Sequence, residues 1–324
     1  MSEYHVRISK YAPDQFPHAN WTPLLVIKTG VMLLSICLNV GVGFYHLTSP
    51  SQVTPFSVYL VGLFIMNVIY CSMCTPLEIA SELYGDWWMG HWACNFYNYF
   101  EFVISLGPVM LHALIAVSRI WAVAYPVSYR EKHTYKIAIL LSALGFGYAH
   151  IVDVPGYVID MLYYHLPEKE YGCRLHTAVM REWSRAESVM CRLSPLLLIM
   201  LAYVYVTAAI WRRKRRRTAA TYARNYELNT LPVNSTETAV VQEAQSVTTV
   251  CKHPVKEVKA SLILTLTAIS VMICWLPADA MFVAYLFFGI PFSTTTFTVV
   301  MLLYSIQGVF DPLMLLFSLR RIAD

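Results

Sequence analysis

Seven apolar stretches, each long enough to cross a bilayer, follow one another along this 324-residue chain. They run roughly from Pro23 to His46, Pro55 to Ile79, His91 to Val123, His133 to Val158, Ala186 to Trp211, Val258 to Phe288 and Thr294 to Phe317, against the roughly 20 residues a spanning helix needs. In hydrocarbon every backbone N–H and C=O must be satisfied within the protein, so stretches of this length form helices. The pattern predicts an all-α membrane protein, a seven-transmembrane helix bundle over residues 23–317 with an N-terminal segment, 1–22, and a short tail, 318–324. A composition of 57% hydrophobic and only 14% charged residues leaves no room for a second, soluble domain. Met1 to Thr22 is polar and lacks the short apolar core of a cleavable signal peptide, so the first helix is expected to act as its own insertion signal.

Orientation follows from the basic residues, because short cytoplasmic connections retain Lys and Arg. Trp211 is followed by Arg212, Arg213, Lys214, Arg215, Arg216 and Arg217; Arg130, Lys132 and Lys136 flank the third connection, and Arg320 and Arg321 follow the last helix. Seven spans then put the N-terminus outside and the C-terminus inside. Asn20-Trp21-Thr22 becomes an outward glycan acceptor site, whereas Asn234-Ser235-Thr236 falls inside. A basic run beside a membrane helix reads as a topology determinant and an anionic-lipid contact, not as a nucleic-acid site. The connection 212–254 has no sustained apolar period, and its middle is expected to be disordered. Cys37, Cys71, Cys74, Cys191 and Cys274 lie within spans and Cys251 on the reducing side. Cys94 and Cys173 map to the oxidising face and are the expected disulfide.

A family resemblance rests on motifs in a fixed order. Trp87-x-Met89-Gly90 precedes Cys94 at the head of the third helix, and Ser118-Arg119-Ile120 stands at its foot, with Pro126 seven residues past the Arg. Pro195 lies in the fifth helix, Cys274-Trp275-Leu276-Pro277 in the sixth and Asp311-Pro312 in the seventh. In this order and on these helices the chain resembles a rhodopsin-like (class A) G-protein-coupled receptor over nearly its whole length, without matching one subfamily. The resemblance implies a receptor, not an enzyme, at the plasma membrane, with an extracellular ligand and a heterotrimeric G protein as partners. It implies no cofactor and no metal.

Pro195, Pro277 and Pro312 each remove a helix hydrogen bond and are hinge candidates. Trp275, two residues before Pro277, is a packing ring on a bare reading; by resemblance it is the switch that passes ligand contact inward. Glu101, Ser105, Pro108, His112, Ile115 and Arg119 recur at three or four residues and share one face of the third helix. Arg119 reads as a snorkelling end charge or, by resemblance, as the Arg of the family's Asp-Arg-Tyr motif, which meets the G protein. Ser118 and Ile120 replace its neighbours, and Glu257 is the possible restraining partner. Asn39, Asn67 and Asp311 occupy the family's mid-membrane polar cluster, with the usual second-helix Asp and seventh-helix Asn exchanged. Pro108 stands where a hydroxyl usually assists sodium, which counts against a sodium site. Tyr203 matches a fifth-helix activation tyrosine whose seventh-helix partner is here Leu315.

The ligand-binding expectation centres on Glu101 and Asp279, both about 15 Å below the outer surface at 1.5 Å per residue, which should meet in one cavity with Ser105, Trp275 and Tyr304. Two partly desolvated carboxylates repel, so either a proton, an internal base such as Lys28 or Arg192, or a cationic ligand group satisfies them. Aromatic rings such as Trp275 and Tyr304 stack on such a cation. A basic peptide fits the longer Glu101 side chain better than a small monoamine; an amine receptor and a non-signalling scavenger or transporter-like protein are the alternatives. Ser305 replaces the retinal-binding lysine, which excludes light sensing. No metal-ligand cluster, paired protease aspartates or inverted repeat stands out.

Overall fold

The computed structural model describes residues 19–48, 53–230 and 265–320. Seven long helices form a bundle: α1 is Pro23–Thr48, α2 Ser57–Tyr84, α3 Gly90–Ala124 and α4 Tyr135–Tyr164. Helix α5 starts at Arg181 and ends with Ser194–Thr230, α6 is the pair Thr265–Cys274 and Leu276–Phe288, and α7 is Thr294–Arg320. Six are long and apolar enough to span a bilayer singly, and α6 makes the seventh as a bent pair. The main departure from the sequence reading is at α5, which passes Trp211 and stays helical to Thr230. Residues 212–230 carry Ala, Arg and Lys, all good helix formers, so the helix outlasts its apolar stretch. The rest of the expected loop, Asn234, Cys251 and Glu257 fall outside the described residues.

Prolines write the irregularities. A proline cannot donate to the carbonyl four residues back and its ring crowds that carbonyl, so the helix must open there. Ahead of Pro108 lies a π turn, Tyr99–Ile104, and ahead of Pro195 another, Ser188–Leu193. Pro76 follows a break at Cys74 in α2, and Pro277 follows the 44° bend of α6. Pro312 leaves the Gly308 carbonyl without its helical donor, and Asn39 Nδ2 from α1 supplies one at 2.7 Å. The ends are capped as the sequence allows. Thr22 Oγ1 accepts from the Leu25 N–H at 3.2 Å, while Gly85 and Gly289 close α2 and α6 in the left-handed region that glycine enters freely.

Helix α3 is the axle. It packs against α2, α4 and α5, while α1 packs on α2 and α7. One core joins Val109, Ala116, Ile199, Ala202, Val206, Val271, Cys274 and Trp275 from α3, α5 and α6. A second joins Val42, Tyr59, Leu63, Phe64, Leu111, Ile115, Ala138 and Leu315 from α1, α2, α3, α4 and α7. Lipid is as apolar as leucine, so these helices are held by close packing and buried hydrogen bonds rather than by hiding grease from water. Accordingly Phe44, Leu144, Ile151 and Leu197 face outward, and Gly156 lets α4 lie against the Trp183 indole.

Candidate functional site

At one end of the bundle Cys94 is bonded to Cys173, with Cα atoms 5.4 Å apart, which ties the α4–α5 loop to the head of α3. The expected pairing is therefore present. Trp87 is buried and its Nε1 donates to the Gly90 carbonyl at 3.0 Å, so the Trp-x-x-Gly segment is itself a turn that starts α3. In the loop, the Glu168 carboxyl sits below the usual carboxylate range. Partial burial acts to raise it, but its backbone N–H and the His165 and His91 side chains outweigh that. Asn20 is exposed, and its backbone N–H donates to Leu83 O at 2.8 Å.

Below the disulfide lies a narrow cavity lined by Lys28, Tyr70, Ser105, Trp275, Tyr304, Ser305 and Gln307 among others. Ser105, Trp275 and Tyr304 thus line one cavity. Glu101 and Asp279 do not line it. Glu101 Oε2 accepts from Tyr70 Oη at 2.7 Å and from Cys74 Sγ at 3.3 Å, which draws it toward α2. Asp279 is buried on the other side with Arg192 and Glu187 in electrostatic reach. Tyr304 stands between and interacts electrostatically with both acids.

Each acid belongs to a separate ionic group. Lys28 Nζ lies 2.6 Å from Glu78 Oε1 and 2.6 Å from Glu82 Oε1, near Glu101. Arg192 Nε donates to Glu187 Oε1 at 2.8 Å, with Asp153 and Asp279 nearby and the Phe282 ring centroid 5.7 Å from its guanidinium. The two internal bases considered from sequence are thus taken by acids that the sequence reading did not single out. Glu78 and Glu82 were detectable as an i, i+4 acidic pair on a membrane helix, where charges are rare. Each group sets one base against three carboxylates, counting Glu101 with the first and Asp153 and Asp279 with the second.

The floor of the cavity leads into the polar cluster. Trp275 stacks on Tyr304 at 6.0 Å and meets His112 edge-on at 5.0 Å. His112 Nε2 lies 3.1 Å from Asp311 Oδ1, at ion-pair distance although not aligned for a hydrogen bond, and both side chains are buried. Gln307 Nε2 donates to Asp311 Oδ1 at 2.7 Å and Asn67 Nδ2 to Oδ2 at 2.8 Å; Asn67 Nδ2 also reaches Asn39 Oδ1 at 3.2 Å. The exchanged Asn67 and Asp311 are in direct contact. His112 and Gln307 complete the carboxylate's shell, and His112 was visible in the sequence only as one residue of the α3 stripe.

At the opposite end the Arg119 guanidinium lies 3.7 Å from the Phe56 ring centroid, and among the described residues no carboxylate is within ion-pair distance of it. Tyr203, like Ile120 and Val123, packs against the α3–α5–α6 core.

Residues 38–314 match the family model of the 7 transmembrane receptor (rhodopsin family). Among similar proteins, the alpha-2Db adrenergic receptor of Danio rerio is 22% identical over 237 residues, 72% of this chain and 54% of that protein. The D(1A) dopamine receptor of Xenopus laevis is 23% identical over 272 residues, 78% of this chain and 57% of its own. The substance-P receptor of Cavia porcellus is 24% identical over 211 residues, 61% of this chain and 50% of its own. The chain spans about half the length of the curated relatives it matches. The matched segment runs from within α1 to within α7 and so takes in five whole helices with parts of the first and last, the Cys94–Cys173 tie and the Asp311 cluster. This chain belongs to the rhodopsin family of seven-transmembrane receptors, multi-pass proteins of the plasma membrane and not enzymes.

Proposed function

We propose that the chain is a signalling receptor with its N-terminus and disulfide outside the cell, that it binds an extracellular ligand bearing a positive group, and that it activates a heterotrimeric G protein at its Arg119 end. The carrying observation is the charge around the cavity. Lys28 faces Glu78 and Glu82, with Glu101 in electrostatic reach of Glu78, and Arg192 faces Glu187, with Asp153 and Asp279 in electrostatic reach, so each internal base sits among more acids than bases. A cation entering between the two groups, beside Tyr304, relieves that imbalance and gains the ring faces of Tyr304 and Trp275. The contact chain from Tyr304 through Trp275 and His112 to Asp311 offers a packed route to the other end. Arg119 rests on Phe56 at that end with its Nε buried and unpartnered among the described residues, so a protein partner would take it up once that end opens.

Two separate acidic groups suit a ligand with more than one cationic group, which favours a basic peptide. The similarity to adrenergic and dopamine receptors favours an amine as the second reading.

A second-messenger screen of expressing cells against basic peptides and amines tests the proposal, with Arg119→Ala as the signalling-dead control. Truncating the dominant partner of a desolvated charge pair costs about 2–5 kcal/mol, so Glu101→Gln or Asp279→Asn is expected to raise the effective agonist concentration roughly 30-fold or more. An agonist that is neutral at assay pH and equally potent on both variants would show that these carboxylates are structural.

A further inference from the structure

We infer that His91, His165 and Glu168 form a binding site for a divalent metal ion of the zinc class, set between the head of α3 and the α4–α5 loop. The site goes beyond the ligand reading, and its test uses no ligand and no G protein.

The donor atoms already converge. His91 Nδ1 lies 2.9 Å from Glu168 Oε1, His165 Nε2 lies 3.0 Å from the same oxygen, and one ligand atom from each residue falls within 4.8 Å of the others. The two imidazoles meet edge-on with ring centroids 4.6 Å apart. Metal–donor bonds of about 2.0–2.2 Å put tetrahedral donors about 3.3 Å apart; the Glu168 oxygen is already near that distance from each imidazole nitrogen, and the two rings, with donor atoms within 4.8 Å, would draw in around the ion. Two imidazole nitrogens and a carboxylate oxygen are the donor set zinc takes when a fourth position stays open to water or a ligand.

The surroundings are those of a metal site as well. An imidazole that binds metal through one nitrogen needs an acceptor for its other N–H, and a carboxylate is a common one. His165 Nδ1 and Asp160 Oδ2 are both buried, neither has a hydrogen-bond partner, and they face each other at 3.8 Å. Asp160 is held in place because its Oδ1 accepts from the His176 N–H at 2.8 Å. On the other ligand, His91 Nε2 is 3.0 Å from the Asn95 side-chain amide, which offers it either a donor or, once turned, an acceptor. The scaffold is fixed before any ion arrives. His91 stands one helical turn before Cys94, and Glu168 five residues before Cys173, so the disulfide holds both strands of the site. A metal-free latch is the rival reading, with a charged His165 held between Asp160 and Glu168; the metal reading gives Asp160 the role of acceptor behind a ligating His165.

The test is direct metal titration of the full chain, purified in detergent without a polyhistidine tag and stripped with EDTA. ZnCl2 binding is followed by calorimetry, with CoCl2 as an absorbing probe and MgCl2 as a hard-cation control. The expected result is one equivalent of zinc bound, a rise in unfolding temperature with zinc, and no competition from magnesium. His91→Ala and Glu168→Gln are each expected to weaken zinc binding roughly 10-fold or more. His91 is half exposed, so its alanine variant keeps the fold, checked by an intact disulfide and an unchanged metal-free unfolding temperature. His165→Ala should match it if that variant folds; if it does not, the other two variants decide. No zinc binding, or binding of equal affinity in His91→Ala and Glu168→Gln, overturns the inference and leaves the three residues as a latch only.

Discussion

The Asp311 carboxylate is short of alternatives, and that makes its partner Asn67 a sharp place to test the packing argument. Oδ2 accepts from Asn67 at 2.8 Å, whereas Oδ1 takes Gln307 at 2.7 Å and faces His112 at 3.1 Å. Asn67 and Asp311 are 7% and 5% exposed, so water cannot readily replace a lost donor. Asn67→Ala leaves Oδ2 unsatisfied at a cost of about 1–3 kcal/mol, or a fall in unfolding temperature of about 2–6 °C for a chain of this size. Asn67→Asp costs more than Asn67→Ala, because it sets two carboxylates against each other in a low dielectric. The exchange of both, Asn67→Asp with Asp311→Asn, restores one carboxylate facing one amide. It does so incompletely. Asn39 Oδ1, which accepts from Asn67 at 3.2 Å, would then face a carboxylate oxygen, and turning the Asn39 amide forfeits its 2.7 Å bond to Gly308 O. The expected outcome is that the exchange recovers most of the loss, with a coupling of about 0.5–3 kcal/mol between the sites. Unfolding temperatures of detergent-solubilised protein, read by size exclusion after heating, rank the four variants under one protocol. If the loss in the double exchange equals the sum of the two single losses to within about 0.5 kcal/mol, Asn67 and Asp311 act independently and the contact does not hold the bundle.

Three further outcomes follow from particular contacts. Asn39→Ala should cost about 1–3 kcal/mol by stranding the Gly308 carbonyl that Pro312 leaves free, and adding Pro312→Ala should return part of it by restoring the helical N–H, read as surface expression and unfolding temperature; an added loss with Pro312→Ala would sink the account. Gly156→Ala places a methyl group inside the Trp183 indole, whose Nε1 is held by Val152 O at 3.0 Å, and overpacking of this kind costs about 1–3 kcal/mol; an unfolding temperature equal to the parent's would mean that α4 and Trp183 separate freely. Phe56→Ala removes the ring under Arg119, a contact of about 0.5–2 kcal/mol, and should raise basal second-messenger output by roughly 2- to 30-fold if that ring holds the resting state; unchanged output at equal surface expression would show that it does not.

What the sequence made legible depends on how far helical periodicity can be trusted. Span number and type were readable because nothing but a helix satisfies the backbone of so long an apolar stretch, and the helix ends mostly fall within a few residues of the apolar limits. Asn39, Asn67 and Asp311 were readable as a cluster for a similar reason. They lie in regular stretches of α1, α2 and α7, where the motif register carries over unchanged, and the structure joins all three. Glu101 is the opposite case. Its depth could be counted in residues, but its direction could not, because it lies in the π turn Tyr99–Ile104, and an inserted residue turns the helix face by roughly 100°. The stripe from Glu101 to Arg119 therefore crosses a register change, and Glu101 turns to Tyr70 and Cys74. Pro108, four residues past that turn, was the available warning.

The same local irregularity explains why charge ends up in two groups and why the cavity lies between them. The π turn Ser188–Leu193 carries Arg192 and, directly before it, Glu187, while the one in α3 carries Glu101; both precede a proline that a regular helix could not accept. Widened turns leave carbonyls and side chains at angles a straight helix cannot present, which is the usual reason such turns gather at functional sites. An acid on a straight α3 would lie on the face that His112 occupies about 16 Å further along the helix at 1.5 Å per residue. The turn swings Glu101 off that face and toward Tyr70 and Cys74, beside Lys28's acids. On this account, straightening the turn with Pro108→Ala should redirect Glu101 and lower agonist potency while leaving the Asp311 cluster, and hence surface expression, in place. Equal losses of potency and expression would mean that the π turn serves the fold rather than the site.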